Sequence, residues 1–130
     1  MSGAKSSPPA PDGCSASVAI PAIPLTAEII HIVLWKLKPC ATDAEADAAK
    51  ESIKQLLKVP GPLSMHIGPP EIEARTQGWN WGLYSVFEDR AALDKYAVSD
   101  AHMDCVRDHV RPHMAEVMAY DWEISDKTGY

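Results

Sequence analysis

The sequence predicts an α+β fold: a ferredoxin-like four-stranded antiparallel sheet with helices on one face and a second copy of the chain over the other. Three observations predict it. Apolar residues recur with periods of 2 and of 3.6 in the order βαββα(α)β. Pro60-Gly61-Pro62 and Gly68-Pro69-Pro70 punctuate the segments. The first strand is apolar on both alternating faces, although helices can hide only one of them.

Residues 1–27 carry Pro8, Pro9, Pro11, Pro21 and Pro24 among many Ser and Ala, a composition that cannot repay backbone ordering by burial, and read as a flexible tail. The body spans 28–124, and 125–130 form a short C-terminal tail. In the first strand, Ile29, His31, Val33, Trp35 and Leu37 share one face and Ile30, Ile32, Leu34 and Lys36 the other. Thr42 followed by Glu45 fits a capping box, opening a helix over 43–58 with Ala46, Ala49, Ile53, Leu56 and Leu57 inward. A second strand over 63–67 and a polar loop over 71–78 lead to a third strand over 79–87. There Trp79, Trp81, Leu83 and Phe87 share one face and Tyr84 and Val86 the other. The third strand is expected to present its two Trp and its Phe on the exposed side of the sheet, to be hidden by the second copy.

Asp89 caps a short helix running to Ala97, and Ser99 caps the next. On that helix Met103, Val106, Val110, Met114 and Val117 fall within about 80° of one another and form the expected core stripe. His102, His109 and His113 lie about 80° to one side of it on the same wheel, and Pro112 ends or kinks the helix. The last strand is expected over 117–124.

The net charge of −6 and pI of about 5.2, with basic residues interleaved among acids, argue against nucleic acid and anionic membrane surfaces as partners. Three scattered cysteines, Cys14, Cys40 and Cys105, build neither a disulfide framework nor a zinc spacing, which points to a reducing, cytoplasmic setting. No apolar run approaches the roughly 20 residues of a bilayer span, and Pro21 and Pro24 interrupt the one segment reminiscent of a leader.

Chemistry centres on Tyr96-Ala-Val-Ser-Asp-Ala-His102, which sets a phenol and an imidazole at a helix junction. A neutral imidazole accepts a proton near pH 7, and a phenol can hydrogen-bond a carbonyl oxygen as charge develops there. The ordinary readings are a helix-start histidine and a core aromatic. His31 is a core histidine or a group that orients a substrate oxygen. Val33, Trp35 and Trp81 either wall an aromatic substrate or fill the core. His109 and His113, four residues apart, lack a third ligand, so no metal is assigned.

The segment Ile29-Ile-His-Ile-Val-Leu-Trp-Lys-Leu-Lys38, the step Asp100-Ala-His102 and the closing Ala119-Tyr-Asp-Trp122 resemble the stress-responsive dimeric α/β barrel (Dabb) family over about Glu28 to Glu123. The resemblance implies a homodimer whose two sheets meet as a barrel, with a small apolar cavity between sheet and helices in each monomer. By likeness to olivetolic acid cyclase-like polyketide cyclases it implies cofactor-free aldol chemistry on a small apolar or aromatic molecule. It puts the general base at His102, its tyrosine partner at Tyr96 and the first-strand histidine at His31. The sequence departs from that pattern at Trp81, which replaces a cavity histidine, and at Ser52, which replaces a tyrosine, so the cyclase's own substrate does not transfer. Two alternatives stay open: a non-catalytic stress-responsive or ligand-binding protein, and a cofactor-independent monooxygenase of the same fold.

Overall fold

A computed structural model describes residues 27–124; the expected tails over 1–26 and 125–130 lie outside the described residues. Four strands, β1 (Ile29–Leu37), β2 (Ser64–Gly68), β3 (Trp81–Phe87) and β4 (Met114–Glu123), form one antiparallel sheet in the order β2-β3-β1-β4. Helices α1 (Asp43–Ile53), α2 (Arg90–Ala97) and α3 (Asp100–Cys105) join them. This is the ferredoxin-like arrangement expected, with the two most apolar strands central or next to centre.

Local chemistry sets the helix starts. Glu45 N–H donates to Thr42 Oγ1 (3.1 Å), while the Glu45 carboxylate reaches back to Ala41 N–H (3.0 Å), so two donors without helical partners are satisfied at once. Asp89 caps α2 through Ala92 N–H (2.7 Å), and Ser99 caps α3 through His102 N–H (3.2 Å). The first helix tightens after Ile53 into a 3₁₀ turn over Lys54–Lys58 rather than continuing as α-helix to 58. The third ends early as α-helix. A wide turn, Val106–Val110, follows it, in which Arg111 N–H donates to Val106 O across five residues, and a 3₁₀ turn, Arg111–His113, then contains Pro112.

The pleat turns Ile29, His31, Val33, Trp35, Trp81, Leu83, Ser85 and Phe87 toward the helices, where Ile53, Leu56, Leu93, Tyr96 and Val110 complete the core. The expectation for β3 is therefore corrected: Trp81 and Phe87 fill the helix side, Trp79 precedes the strand, and the face away from the helices is apolar through other residues. Tyr84, Met118, Tyr120 and Trp122 stand exposed there beside Ile32 and Leu34. The predicted core stripe is corrected too. Met103 is half exposed, Met114 and Val117 belong to β4, which starts three residues earlier than expected, and Cys105 occupies the core position instead. The wheel fails for Met114 and Val117 because regular helix ends at Cys105 and the chain is already a strand from Met114. Among the described residues no helix is long and apolar enough to cross a membrane.

Candidate functional site

His102 sits in the first turn of α3. Its Nδ1–H donates to Ala97 O at 3.1 Å, which leaves Nε2 without its proton and free to accept one. The imidazole lies against Tyr96 with ring centroids 4.4 Å apart, and Tyr96 in turn contacts Phe87 at 4.9 Å. Phe87 meets His31 edge to face at 6.0 Å, so four rings run from β1 through β3 and α2 to α3. Burial holds the His102 imidazole below its ordinary value. The Ala97 carbonyl works against that shift and nearby His31 with it. Burial also pushes the Tyr96 phenol up to about 12, with the Cys105 thiol adding to the effect. At neutral pH the pair is an unprotonated imidazole beside a protonated phenol.

Tyr96 depends on Gly61. That residue has φ +137°, and a Cβ there would come within 2.9 Å of the Tyr96 ring. The Pro60-Gly61-Pro62 stop, read in the sequence only as a helix end, is also what lets the phenol pack.

His31 is placed by two contacts. Ser85 Oγ donates to its carbonyl (2.9 Å), and its Nδ1 lies 2.5 Å from Asp121 Oδ1 on the register partner in β4. Arg90 holds the other oxygen of Asp121 (3.1 Å) and Asp94 as well (2.9 Å). Burial would raise the Asp121 carboxyl, but the hydrogen bonds and charges of His31 and Arg90 outweigh it and leave the group below the usual carboxylate range. Asp121 and Arg90 escaped the sequence reading, since they lie 90 and 31 residues from their partners. The only available signal was Asp121 within the closing Tyr-Asp-Trp step.

A hollow of about 490 Å³ opens beside His102, lined also by Ala97, Met103, Asp104, Val106, Arg107 and Arg111. Tyr96 lines a separate hollow of about 410 Å³ with Gly61, Ala92 and Lys95, and does not line the one beside His102. Val33 packs at the core margin between His31 and Trp35. Trp35 and Trp81, register partners buried to 2 % and 4 % exposure, fill the core four residues further along β1, about 13 Å from His31 at the rise of a strand. The structure thus brings His31, Tyr96 and His102 into one chain of rings and sets the two tryptophans apart from it. His109 is exposed, and among the described residues no three His, Cys, Asp or Glu side chains gather in a way that could hold a metal.

The chain matches known proteins over this same body. A family model described as the Stress responsive A/B Barrel Domain, Dabb, matches residues 29–124. A stress-response A/B barrel domain-containing protein of Arabidopsis thaliana is 27% identical over 113 residues, covering 87% of this chain and 43% of its own length. The chain therefore spans less than half of that relative. A Dabb family protein with a ferredoxin-like fold from Mesorhizobium loti superposes with a TM-score of 0.63 at 22% identity, over 74% of this chain and 95% of that one. A hydroxynitrile lyase from Passiflora edulis gives 0.63 at 16% identity, over 78% and 96%. With the matched segment running from the first residue of β1 to just past the end of β4, the chain belongs to the stress-responsive A/B barrel domain family.

Proposed function

We propose that this protein is a lyase or cyclase that makes or breaks a carbon–carbon bond next to a carbonyl, with His102 as general acid and base. The observation that carries the reading is the His102 imidazole: its Nδ1–H is fixed on Ala97 O, its base form is favoured by burial, and it borders a hollow large enough for a small molecule. In the condensing direction His102 Nε2 takes the proton from the carbon α to a carbonyl. The enolate then attacks a second carbonyl carbon of the same molecule, and the resulting alkoxide takes the proton back from His102. In the lyase direction His102 removes a hydroxyl proton as the carbon–carbon bond breaks, and the departing carbanion is protonated by the imidazolium. Tyr96, still protonated at neutral pH, donates to the oxygen that gains charge. His31, with Nδ1 engaged by Asp121, offers its other nitrogen to a substrate oxygen. The substrate is a polyketide-like or aromatic carbonyl compound. The lyase named among the similar structures is consistent with this class, and the antibiotic biosynthesis monooxygenase of Caulobacter crescentus named there is consistent with the oxygenase alternative.

A second copy of the chain covers the open sheet face. The exposed Tyr84, Met118, Tyr120 and Trp122 form an apolar patch unusual for a monomer, and one similar structure, from Thermobifida fusca, is described as a dimeric ferredoxin-like protein.

The test is to incubate the wild type and His102→Ala with an extract of the producing organism and compare metabolites by mass spectrometry. A product formed by the wild type is expected, with turnover lower by about 10²–10⁴ in the variant. Equal conversion by both overturns the assignment of the base. No conversion by either, with the same small molecule retained by both, favours a ligand-binding protein, the reading that fits the match to a stress-response relative.

A further inference from the structure

The hollow beside His102 carries a cation that no described carboxylate pairs with. Arg107 is spent: its Nε and Nη2 lie 2.9 and 3.1 Å from the two oxygens of Asp108, and its Nη1 lies 3.1 Å from Asp104. Arg111 lines the same hollow and has no carboxylate partner among the described residues. Asp104 lines the hollow too but is held by Arg107, so Arg111 is the cation there that has no carboxylate in contact among the described residues.

Its position comes from the wide turn. In an uninterrupted α-helix Arg111, nine residues after His102, would project about 180° away from it. The i→i+5 step closed by Arg111 N–H on Val106 O absorbs part of that rotation, and Arg111 ends on the wall that His102 and Met103 share. The turn is also secured from outside, because Ser52 Oγ donates to His109 O at 2.8 Å and satisfies a carbonyl of that turn. Wide turns within helices are frequent at functional sites. Between the two polar ends of the wall lie Met103, half exposed, and Val106, which make a short apolar stretch.

We infer that the site takes an anionic substrate: a carbonyl compound bearing a carboxylate, with the carboxylate on the Arg111 guanidinium, the apolar body along Met103 and Val106, and the reacting carbon at His102. This deepens the proposed function and rests on its placing of the site. A planar guanidinium suits a carboxylate because two parallel N–H···O bonds form at once. It would also fix the distance between the anion and the base, which positions the reacting carbon.

Phenylacetate and its neutral counterpart phenylacetamide serve as probes, with binding followed by NMR on the wild type, Arg111→Gln, Arg111→Lys and His102→Ala. Phenylacetate is expected to shift the Met103 and Val106 signals of the wild type and to bind about tenfold more tightly than the amide. Arg111→Gln should abolish that preference, and Arg111→Lys should keep only part of it. Equal affinity of acid and amide for the wild type, or a preference that survives in Arg111→Gln with unchanged melting, overturns the inference. His102→Ala should still bind phenylacetate. If it does so while the wild type proves to convert nothing, the catalytic reading fails and the anion site stands. If conversion depends on His102 but Arg111→Gln leaves KM for the natural substrate unchanged, the base stands and the anion site fails.

Discussion

His31 and Asp121 face each other across the β1–β4 ladder as register partners, with Nδ1 2.5 Å from Oδ1. Because residues directly opposite in an antiparallel pair share a face, the pairing register itself delivers the carboxylate to the imidazole. Arg90 then holds the second oxygen and ties the start of α2 to the sheet. Asp121→Asn should leave the fold intact but weaken the preference for one His31 tautomer, visible in the ring nitrogen shifts. Turnover of the confirmed substrate should drop by about tenfold or more. Unchanged nitrogen shifts and rate would mean that the contact only fastens the strand.

In the proposed mechanism the acid limb of activity is set by His102. Its imidazole titrates below the ordinary value of 6.5 because burial disfavours the charged form, so kcat/KM should be flat near pH 7 and fall only below that value. The same shift affects stability. The unfolded chain binds the proton more readily than the folded one, so stability is lost as pH drops from 6.5 toward the folded pKa. Thermal melts of the wild type and His102→Gln over pH 5–8 should converge in slope at the alkaline end and differ at the acid end.

Tyr96 has the opposite sign. Its phenol is raised from 10 to about 12, so the folded state holds the proton that the unfolded state releases, and stability falls as pH climbs from 10 through 12. Tyr96→Phe keeps the ring contacts with Phe87 and His102 and should remove that alkaline loss. At pH 7 the same variant separates two roles for the residue. A rate reduced by about 10² or more assigns the hydroxyl to the reaction, whereas a wild-type rate leaves Tyr96 as packing for the imidazole.

Gly61→Ala should be more damaging than its size suggests. The backbone has a positive φ there and the added Cβ would press on the Tyr96 ring, a combination that costs about 1–3 kcal/mol. Lower denaturation midpoints together with displaced Tyr96 and His102 resonances are expected. A loss of stability without movement of those two rings would separate the loop from the site.

The open sheet face predicts assembly. Replacing Tyr120 and Trp122, both exposed and in edge-to-face contact at 5.8 Å, by Asp should convert a dimer into monomers in light scattering after size exclusion. A wild type that runs as a monomer at high concentration would remove the case for a second copy.

Pattern in the chain was sufficient for the sheet, the capped helix starts at Thr42, Asp89 and Ser99, and the two-sided apolar character of β1. These depend on interactions between near neighbours, such as a hydroxyl on an N–H three residues on or the alternation of a pleat. The adjacency of Tyr96 and His102 was legible for the same reason, since the step between them is short. What only the folded chain decided lies at long range or where a regular period breaks. The Asp121 and Arg90 partners of His31 come from strand register and from a helix start packing against an edge strand. Trp81 turned inward because Trp35 opposes it across the ladder. The wide turn after Cys105 brought Arg111 to the hollow, because one i→i+5 hydrogen bond alters the direction of every later side chain on that segment. A helical wheel assumes constant rotation per residue, and Arg111 is placed where that assumption fails.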